Sequence, residues 1–424
     1  MLIRWLYTLL LTFFAPFLLF GLYKKKEGKP SIGSRWKEHF GFTPKFESDK
    51  RPIWVHAVSV GETIAVAPLI KQLKFEHPDT EIVLTTTTPT GAEQAAKLGK
   101  LVKHRYMPLD FPFAVKGFIK AIKPCKMVIM ETELWPNTLY TVAKNDIPIS
   151  VINARLSERS YRRYSKIQPI FNLLSKNIEQ LLCQYKDDAD RFVKLGVDSS
   201  KVAVTGSIKF DIRIEPNHIE HGNRLREQLG KDRPVWIAAS THIGEDEQVL
   251  AAHREILRST PNALLILVPR HPERFSSVFE LCQKEGFVVQ RRTDSNENEL
   301  QNTKVYLADT MGEMLALIQA ADICFMGGSL IGNKVGGHNV LEPAALAKPV
   351  LSGPSYYNFT EIVHKLLAHK AIIITNSPME ISKVILELLS DRKKLSQQGM
   401  LSEQCLLENK GAVDKSVKAI TIGK

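Results

Sequence analysis

Cysteine is scarce in this sequence and never paired. Five residues (Cys125, Cys183, Cys282, Cys324 and Cys405) are scattered over 424 positions, with no C-x-x-C spacing. That excludes a disulfide framework and a cysteine-built zinc site, and it suits a reducing compartment. Cys183 and Cys324 sit inside apolar runs and read as small core residues. Internal repeats and low-complexity segments are also missing, as is any cluster of metal-ligating residues, so a metal is not expected. Nothing resembles an RNA- or DNA-binding module. The net charge is +12, yet the basic residues are dispersed, so nucleic acid ranks below phosphorylated small molecules and an anionic membrane as a partner. The composition, 44% hydrophobic and 24% charged, rules out wholesale disorder. The length fits two domains of ordinary size.

What is present begins with "MLIRWLYTLLLTFFAPFLLFGLYKKK", which carries a single charge, Arg4, before Lys24–Lys26. As a helix, residues 2–23 span roughly 33 Å at ~1.5 Å per residue, close to the bilayer core. Arg4 can snorkel at one end, and membranes tolerate a kink at Pro16. No A-x-A-like cleavage site is visible, and the positive charge follows the apolar run, which argues against a signal peptide. Lysines on the C-terminal side place the rest of the chain in the cytoplasm. The expectation is a single N-terminal membrane anchor, the alternative being a buried hydrophobic helix, with "SIGSRWKEHFGF" (31–42) as an interfacial segment or an ordinary surface helix.

Strand and helix patterns then alternate. "PIWVHAVS", "EIVLTTTT", "KMVIMETE", "IPISVINARLS", "IEQLLCQY" and "VAVTGSIKF" are short apolar runs separated by helical stretches. After the polar 211–234 the alternation restarts with "PVWIAAST", "ALLILVPR", "FVVQRRT", "KVYLADT", "DICFMGGS" and "KPVLSGP". Continuous apolar strands between helices indicate parallel sheets covered on both faces. The expected fold is α/β, with two doubly wound Rossmann-like domains facing a cleft. Expected boundaries are 1–42 for the anchor and interfacial segment, 43–211 for the first domain, 212–233 for a linker and 234–424 for the second domain.

Ligands of open α/β sheets bind beyond the carboxyl ends of the strands, so the strand-to-helix turns hold the candidates. In "SVGET", Glu62 opens a helix, as a general base or as a dipole-favoured first-turn acid. "METELWPN" puts Glu131 and Glu133 at the end of an apolar strand, facing a ligand or capping the next helix. "GSIKFD" offers Lys209 at the domain junction, as a ligand contact or a solvated lysine. In "LVPRHPERF", Arg270, His271 and Arg274 cluster, and arginine forks match phosphate or carboxylate oxygens. "DTMGEM" supplies Met311, Gly312 and Glu313, where backbone amides can hold a ligand; the alternative is a cap by Asp309 or Thr310. "GGSLIGNKVGGHNVLEPAA" brings Gly327, Gly328, Gly336 and Gly337 up to His338, Asn339 and Glu342. The Asn339–Glu342 spacing suits ribose recognition and a capping box equally, and the glycine density favours the ligand.

In order, "AVSVGET", "TTTTPTG", "METELWPN", "INARLS", "GSIKFD", "STH", "LVPRHPERF", "DTMGEM" and "GGHNVLEPAA" resemble the 3-deoxy-D-manno-octulosonic acid (Kdo) transferases of lipopolysaccharide synthesis. The resemblance runs to about residue 360. It implies a GT-B fold, with the acceptor on the N-terminal domain and the nucleotide sugar on the C-terminal one. It implies transfer of Kdo from CMP-Kdo to a phosphorylated lipid A precursor at the cytoplasmic face of the inner membrane, without a cofactor or a required metal. By the same resemblance Glu62 is the proton acceptor, and Glu131 and Lys209 stabilise the transition state. The CMP contacts fall on Pro269 and Arg270, on Met311, Gly312 and Glu313, and on Asn339, Val340, Leu341 and Glu342. Two departures stand out: the spacer "LIGNKV" lengthens the glycine loop, and Val340 stands where the family often has Pro. The competing readings are another glycosyltransferase or a sugar-nucleotide epimerase of the same fold, and a two-domain binding protein without chemistry.

Overall fold

The computed structural model describes residues 2–23, 31–294 and 300–421. The chain divides into two compact units: the first holds residues 1–211 together with 409–424, and the second holds 212–408.

The first unit is built on seven strands: β1 (Ile53–His56), β2 (Ile82–Thr86), β3 (Lys103–Tyr106), β4 (Lys126–Met130), β5 (Ile149–Ala154), β6 (Gln180–Cys183) and β7 (Val202–Val204). Their order is β3-β2-β1-β4-β5-β6-β7, and every pairing is parallel. Helices cover both faces, so β1, β2 and β5 are buried along their whole length. This is why their sequences run apolar instead of alternating. One face packs Trp54, Phe118, Phe171 and Phe192; the other packs Val55, Leu69, Leu84 and Met130.

The second unit repeats the plan with β8 (Val235–Thr241), β9 (Leu264–Pro269), β10 (Val289–Arg291), β11 (Val305–Leu307), β12 (Ile323–Met326), β13 (Val350–Ser352) and β14 (Ile372–Ile374). The order is β10-β11-β9-β8-β12-β13-β14, again all parallel. The chain winds outward one way from β1 and the other way from β4; β8 and β12 form the same switch. Crevices at such switch points are the expected ligand sites of open α/β sheets.

Three expectations need correction. Residues 212–233 are not a linker, because the Pro216–Leu229 helix belongs to the second unit and packs on Met314–Ala320. The approach is close: a Cβ on Gly222 would meet Gln319 Cβ at 2.4 Å. Nor does the second domain run to residue 424. The Ala412–Thr421 helix returns to the first unit, burying Val413, Val417 and Ile420 against its core. Asp211 fixes that return by accepting the Gly411 and Val413 N–H groups at 2.7 and 2.8 Å.

The third correction concerns the anchor. Leu2–Tyr23 forms one 22-residue helix. Among the described residues, however, no helix is long and apolar enough to cross a membrane. One face of this helix is docked on the first unit. Arg4 lies 3.4 Å from the centroid of the Tyr140 ring, Asn137 Nδ2 donates to Thr8 Oγ1 at 2.9 Å, and Tyr7 hydrogen-bonds the buried Asp110. The polar residues that interrupt the apolar run are thus engaged as docking contacts. The opposite face exposes Leu2, Trp5, Leu9, Phe13, Phe17 and Phe20. Lys24–Lys26, the expected cytoplasmic flank, lie outside the described residues.

Buried histidines make stability pH-dependent. His253 accepts from Trp236 Nε1 at Nδ1 (3.1 Å) and donates from Nε2 to the Lys304 carbonyl (2.8 Å), so the ring is held as one neutral tautomer. Burial pushes its pKa down from 6.5 to about 3. Below the unfolded value of 6.5 the unfolded chain binds a proton that the native ring refuses. The native state therefore loses about 1.4 kcal/mol per pH unit from this residue alone as pH falls. His253→Phe leaves the Trp236 N–H unpaired and costs about 1–3 kcal/mol at neutral pH. Urea unfolding at a series of pH values should show that deficit constant above pH ~6.5 and shrinking below it; a constant deficit would mean the ring is not held neutral.

Candidate active-site residues

In the first unit the turn after β1 carries Glu62, third residue of the Val60–Glu76 helix. Ser59 is the N-cap: its Oγ accepts the Glu62 N–H at 3.2 Å and donates to Glu62 Oε1 at 2.9 Å, while Glu62 Oε2 accepts the Val58 N–H at 2.9 Å. The first-turn acid is therefore a real helix-end partner, a close variant of the capping box. Burial nevertheless raises its pKa above the ordinary carboxylate value. The bonds from Val58 and Ser59 oppose that rise, and the charges of Glu131 and Glu133 add to it. One lone pair on each oxygen is in use, which leaves acceptor capacity for a further proton.

Glu131 and Glu133 follow β4, beside β1 in the sheet. Glu131 has φ 60°, a left-handed conformation that is costly for a residue with a Cβ. It is locked there by its N–H bond to the Ile152 carbonyl (2.9 Å). Glu133 accepts from Trp135 Nε1 at 3.2 Å. The next helix, Pro136–Lys144, is capped by Asp110, which accepts the Asn137 and Thr138 N–H groups at 3.1 and 2.7 Å, so neither carboxylate serves as its cap. Lys209 sits half-buried on the Ile208–Phe210 turn, which packs against the Glu62 helix. The first unit thus gathers Glu62, Glu131 and Glu133 and keeps Lys209 on an adjoining turn.

In the second unit Pro269 ends β9, and the Arg270 N–H bonds the Thr241 carbonyl at 3.0 Å. The Arg270 side chain is exposed, and its charge reaches Glu342. Arg274, grouped with it by sequence, is not available: it is buried, paired with Asp246 and bonded to the Thr241 carbonyl. Met311 is exposed, and Gly312 adopts φ 86°. Glu313 presents backbone only, because its carboxylate takes a bidentate bond from Arg292 (2.7 Å twice) and another from Thr310, and these hold its pKa below the ordinary value. Neither alternative cap forms: Asp309 accepts from Thr293, and the Met314–Ala320 helix has no side-chain cap.

The glycine loop follows β12. Its glycines serve the chain's own packing. A Cβ on Gly328 would meet His338 Cδ2 at 2.8 Å, and one on Gly336 would meet the Tyr357 ring at 2.5 Å. Part of the glycine density is therefore accounted for by the chain's own packing. Asn339 Oδ1 accepts the Leu341 N–H, and its Nδ2 donates to Glu342 Oε1, both at 3.2 Å. Burial raises the Glu342 pKa, against the pull of Asn339 and Arg270. Val340 and Leu341 bury their side chains, so only their backbone can face a ligand. The Leu341–Ala345 helix is five residues long. So short a stack of peptide dipoles offers an anion little.

What holds this loop escaped sequence reading. Glu245, fully buried, accepts four backbone N–H groups: His242 (2.9 Å) and Gly328 (2.6 Å) at Oε2, Ser329 (2.8 Å) and Leu330 (2.9 Å) at Oε1. The signal available was an acid inside "STHIGEDE", with nothing to mark its distant partners. Among the described residues no group of three or more His, Cys, Asp or Glu is placed to hold a metal ion.

Comparison with known proteins gives concordant matches. Residues 34–212 match the family described as 3-Deoxy-D-manno-octulosonic-acid transferase (kdotransferase), and residues 247–401 match Glycosyl transferases group 1. A 3-deoxy-D-manno-octulosonic acid transferase of Haemophilus influenzae is 40% identical, covering 97% of this chain and 96% of its own. The solved C-terminal CMP-Kdo binding domain of WaaA from Acinetobacter baumannii is 35% identical over 45% of this chain and 99% of its own, with a TM-score of 0.42. A UDP-GlcNAc 2-epimerase from Neisseria meningitidis, 14% identical, covers 87% of this chain and 99% of its own with a TM-score of 0.59, a likeness of fold alone. The two parallel α/β units and such neighbours give the chain a GT-B fold.

Glu245→Gln keeps an oxygen for two of the four amides and turns an NH2 toward the others. Each buried donor left unpaired costs about 1–3 kcal/mol. Hydrogen exchange should accelerate at least about tenfold in a peptide covering 327–331, while peptides from β8 and β9 stay protected. Unchanged exchange in the loop would remove Glu245 from this role.

Proposed function

Since the chain belongs to the 3-deoxy-D-manno-octulosonic acid transferase family and is an enzyme that transfers Kdo, we propose that it moves Kdo from CMP-Kdo to a phosphorylated lipid A precursor, lipid IVA, with Glu62 as general base. The observation that carries the catalytic assignment is the upward-shifted Glu62 carboxyl beside Glu131 and Glu133. An ordinary first-turn glutamate is a weak base; burial and two like charges make this one a better proton acceptor.

In this reading the acceptor's sugar hydroxyl gives its proton to Glu62 as its oxygen attacks the anomeric carbon of Kdo. The bond between that carbon and the CMP phosphate oxygen breaks, and CMP leaves with the electron pair. Positive charge developing on the sugar ring is stabilised by Glu131, whose constrained backbone fixes where its carboxylate starts. Lys209 and Arg270 are the cations proposed for the negative charge gathering on the leaving phosphate. Asn339 and Glu342 are assigned to the ribose, and the backbone at 311–313 to the cytosine or phosphate.

We place the protein at the cytoplasmic face of the inner membrane. The support is the Leu2–Tyr23 helix, docked on one face and exposing bulky apolar side chains on the other, with Trp36, Phe42 and Phe113 also exposed on the first unit. Such a helix fits the plane of the interface better than a crossing. A chain starting at residue 24 should lose most of its binding to anionic vesicles in flotation, whereas high salt should leave the full chain largely bound, because salt weakens only electrostatic attachment. Full release of the intact protein by salt would overturn the apolar attachment.

Glu62→Gln should lower turnover about 10²–10⁴-fold with CMP affinity unchanged. Near-normal turnover would reduce Glu62 to its capping role. The base must be ionised, so activity should fall as pH drops through the raised Glu62 pKa. Glu133→Gln removes one of the charges that raise it, and the acid limb of the kcat/KM profile should then move to lower pH. A limb that stays in place would assign it to another group.

A further inference from the structure

Three imidazoles lie at the carboxyl edge of the second sheet. His242 follows β8, His271 follows β9, and His338 ends the glycine loop after β12. His242 Nε2 and His338 Nε2 are 2.8 Å apart, with ring planes 8° from parallel. That is a hydrogen bond between two rings, so one Nε2 carries the proton and the other accepts it. The His271 ring packs edge-on against His242, centroids 5.2 Å apart. Arg270 is adjacent, and its side chain is exposed.

The backbone leaves this pair little freedom. Glu245 holds the His242 N–H and the three amides that open the loop, while the absent Cβ of Gly328 gives the His338 ring its place. The charged and titratable groups facing the rings are Arg270, His271 and Arg274 on the β9 turn and Glu245 beside His242. Two of those acids and bases are already matched. Arg274 is paired with Asp246, and the Glu245 carboxylate is saturated by four amides. What is left is an N–H···N pair beside the exposed Arg270 guanidinium, whose charge also reaches the buried Glu342.

Resting on the donor assignment made above, we propose that His242 and His338, with Arg270 beside them, form the oxyanion subsite of the donor and take up one proton from solvent when it binds. The empty pair is neutral because burial and the surrounding positive charge hold the proton off; His338 is held down to about 4. An entering oxyanion reverses the local field, and one added proton then converts N–H···N into a singly charged, hydrogen-bonded pair. The short Leu341–Ala345 helix cannot supply this charge; the imidazoles can. The oxyanion is the donor's phosphate or the carboxylate of its sugar.

Calorimetry of CMP binding in two buffers of different ionisation enthalpy reads the proton count directly. Wild type should take up about one proton per CMP near neutral pH, and its affinity should rise up to about tenfold per pH unit lowered. Cytidine, which lacks the phosphate, should bind without uptake. Uptake with CMP alone assigns the phosphate; uptake only when free Kdo is added with CMP assigns the carboxylate. His338→Asn and His242→Asn should each abolish the uptake and flatten the pH dependence, with circular dichroism unchanged. His271→Asn, which lies outside the bonded pair, should keep it. CMP binding with the same proton count in wild type and in both variants, or with none in wild type under either condition, overturns the proposal. A chain that does not bind CMP at all would instead overturn the donor assignment.

Discussion

A parallel sheet buried on both faces has no room for unpaired polar groups along its strands, so its chemistry is forced to the strand ends. Most of what matters in this molecule follows from that restriction. Glu62, Glu131 and Lys209 sit where β1, β4 and β7 give way to turns, and Arg270, Glu245 and His242 sit where β9 and β8 do. The restriction also explains the strained residues. Glu131 leaves β4 through left-handed backbone, and Asn153 and Ser240 adopt it one residue before the ends of β5 and β8. Two of them are anchored by neighbours: the Glu131 amide bonds the Ile152 carbonyl, and Asn153 Oδ1 accepts the Ile208 N–H. Local cost is tolerated because the surrounding ladder leaves the chain no alternative path.

Strands and their order of appearance were legible because burial writes itself into composition. "IWVH", "IVLTT" and "LLILVP" have no other stable home. Carboxylates at strand ends were legible for the same reason, since an acid closing an apolar run demands an explanation. The partners of those groups were not legible. Nothing near Arg274 in sequence announces Asp246, 28 residues away, and nothing near Glu313 announces Arg292. Arg274 looked like part of a free arginine cluster and is instead held by the protein itself, as is the Glu313 carboxylate. Glu245 failed in the opposite direction: its partners are backbone amides, which have no residue type to recognise.

The N-terminal helix shows how a composition argument can be right about a segment and wrong about its placement. Length and hydropathy identified the helix, but Arg4, Tyr7 and Thr8 share a face, and a shared polar face on an apolar helix is a docking seam. Spacing carried that information; average hydrophobicity erased it. The glycine loop teaches the complementary lesson. Gly336 is required by the Tyr357 ring that lies against it, a neighbour 21 positions away that no local motif reveals.

The return of residues 412–421 to the first core makes the second unit an insertion, entered after Asp211 and left before Asn409. During synthesis the first core therefore lacks Val413, Val417 and Ile420 until nearly 200 further residues have emerged, whereas the second unit is made without interruption. The domain that appears first on the ribosome is then the one that closes last. Asp211 is ready early, with both carboxylate oxygens waiting for the amides of Gly411 and Val413. Loss of the Ala412–Thr421 helix would accordingly damage the unit from which it is separated in sequence by the whole of the other.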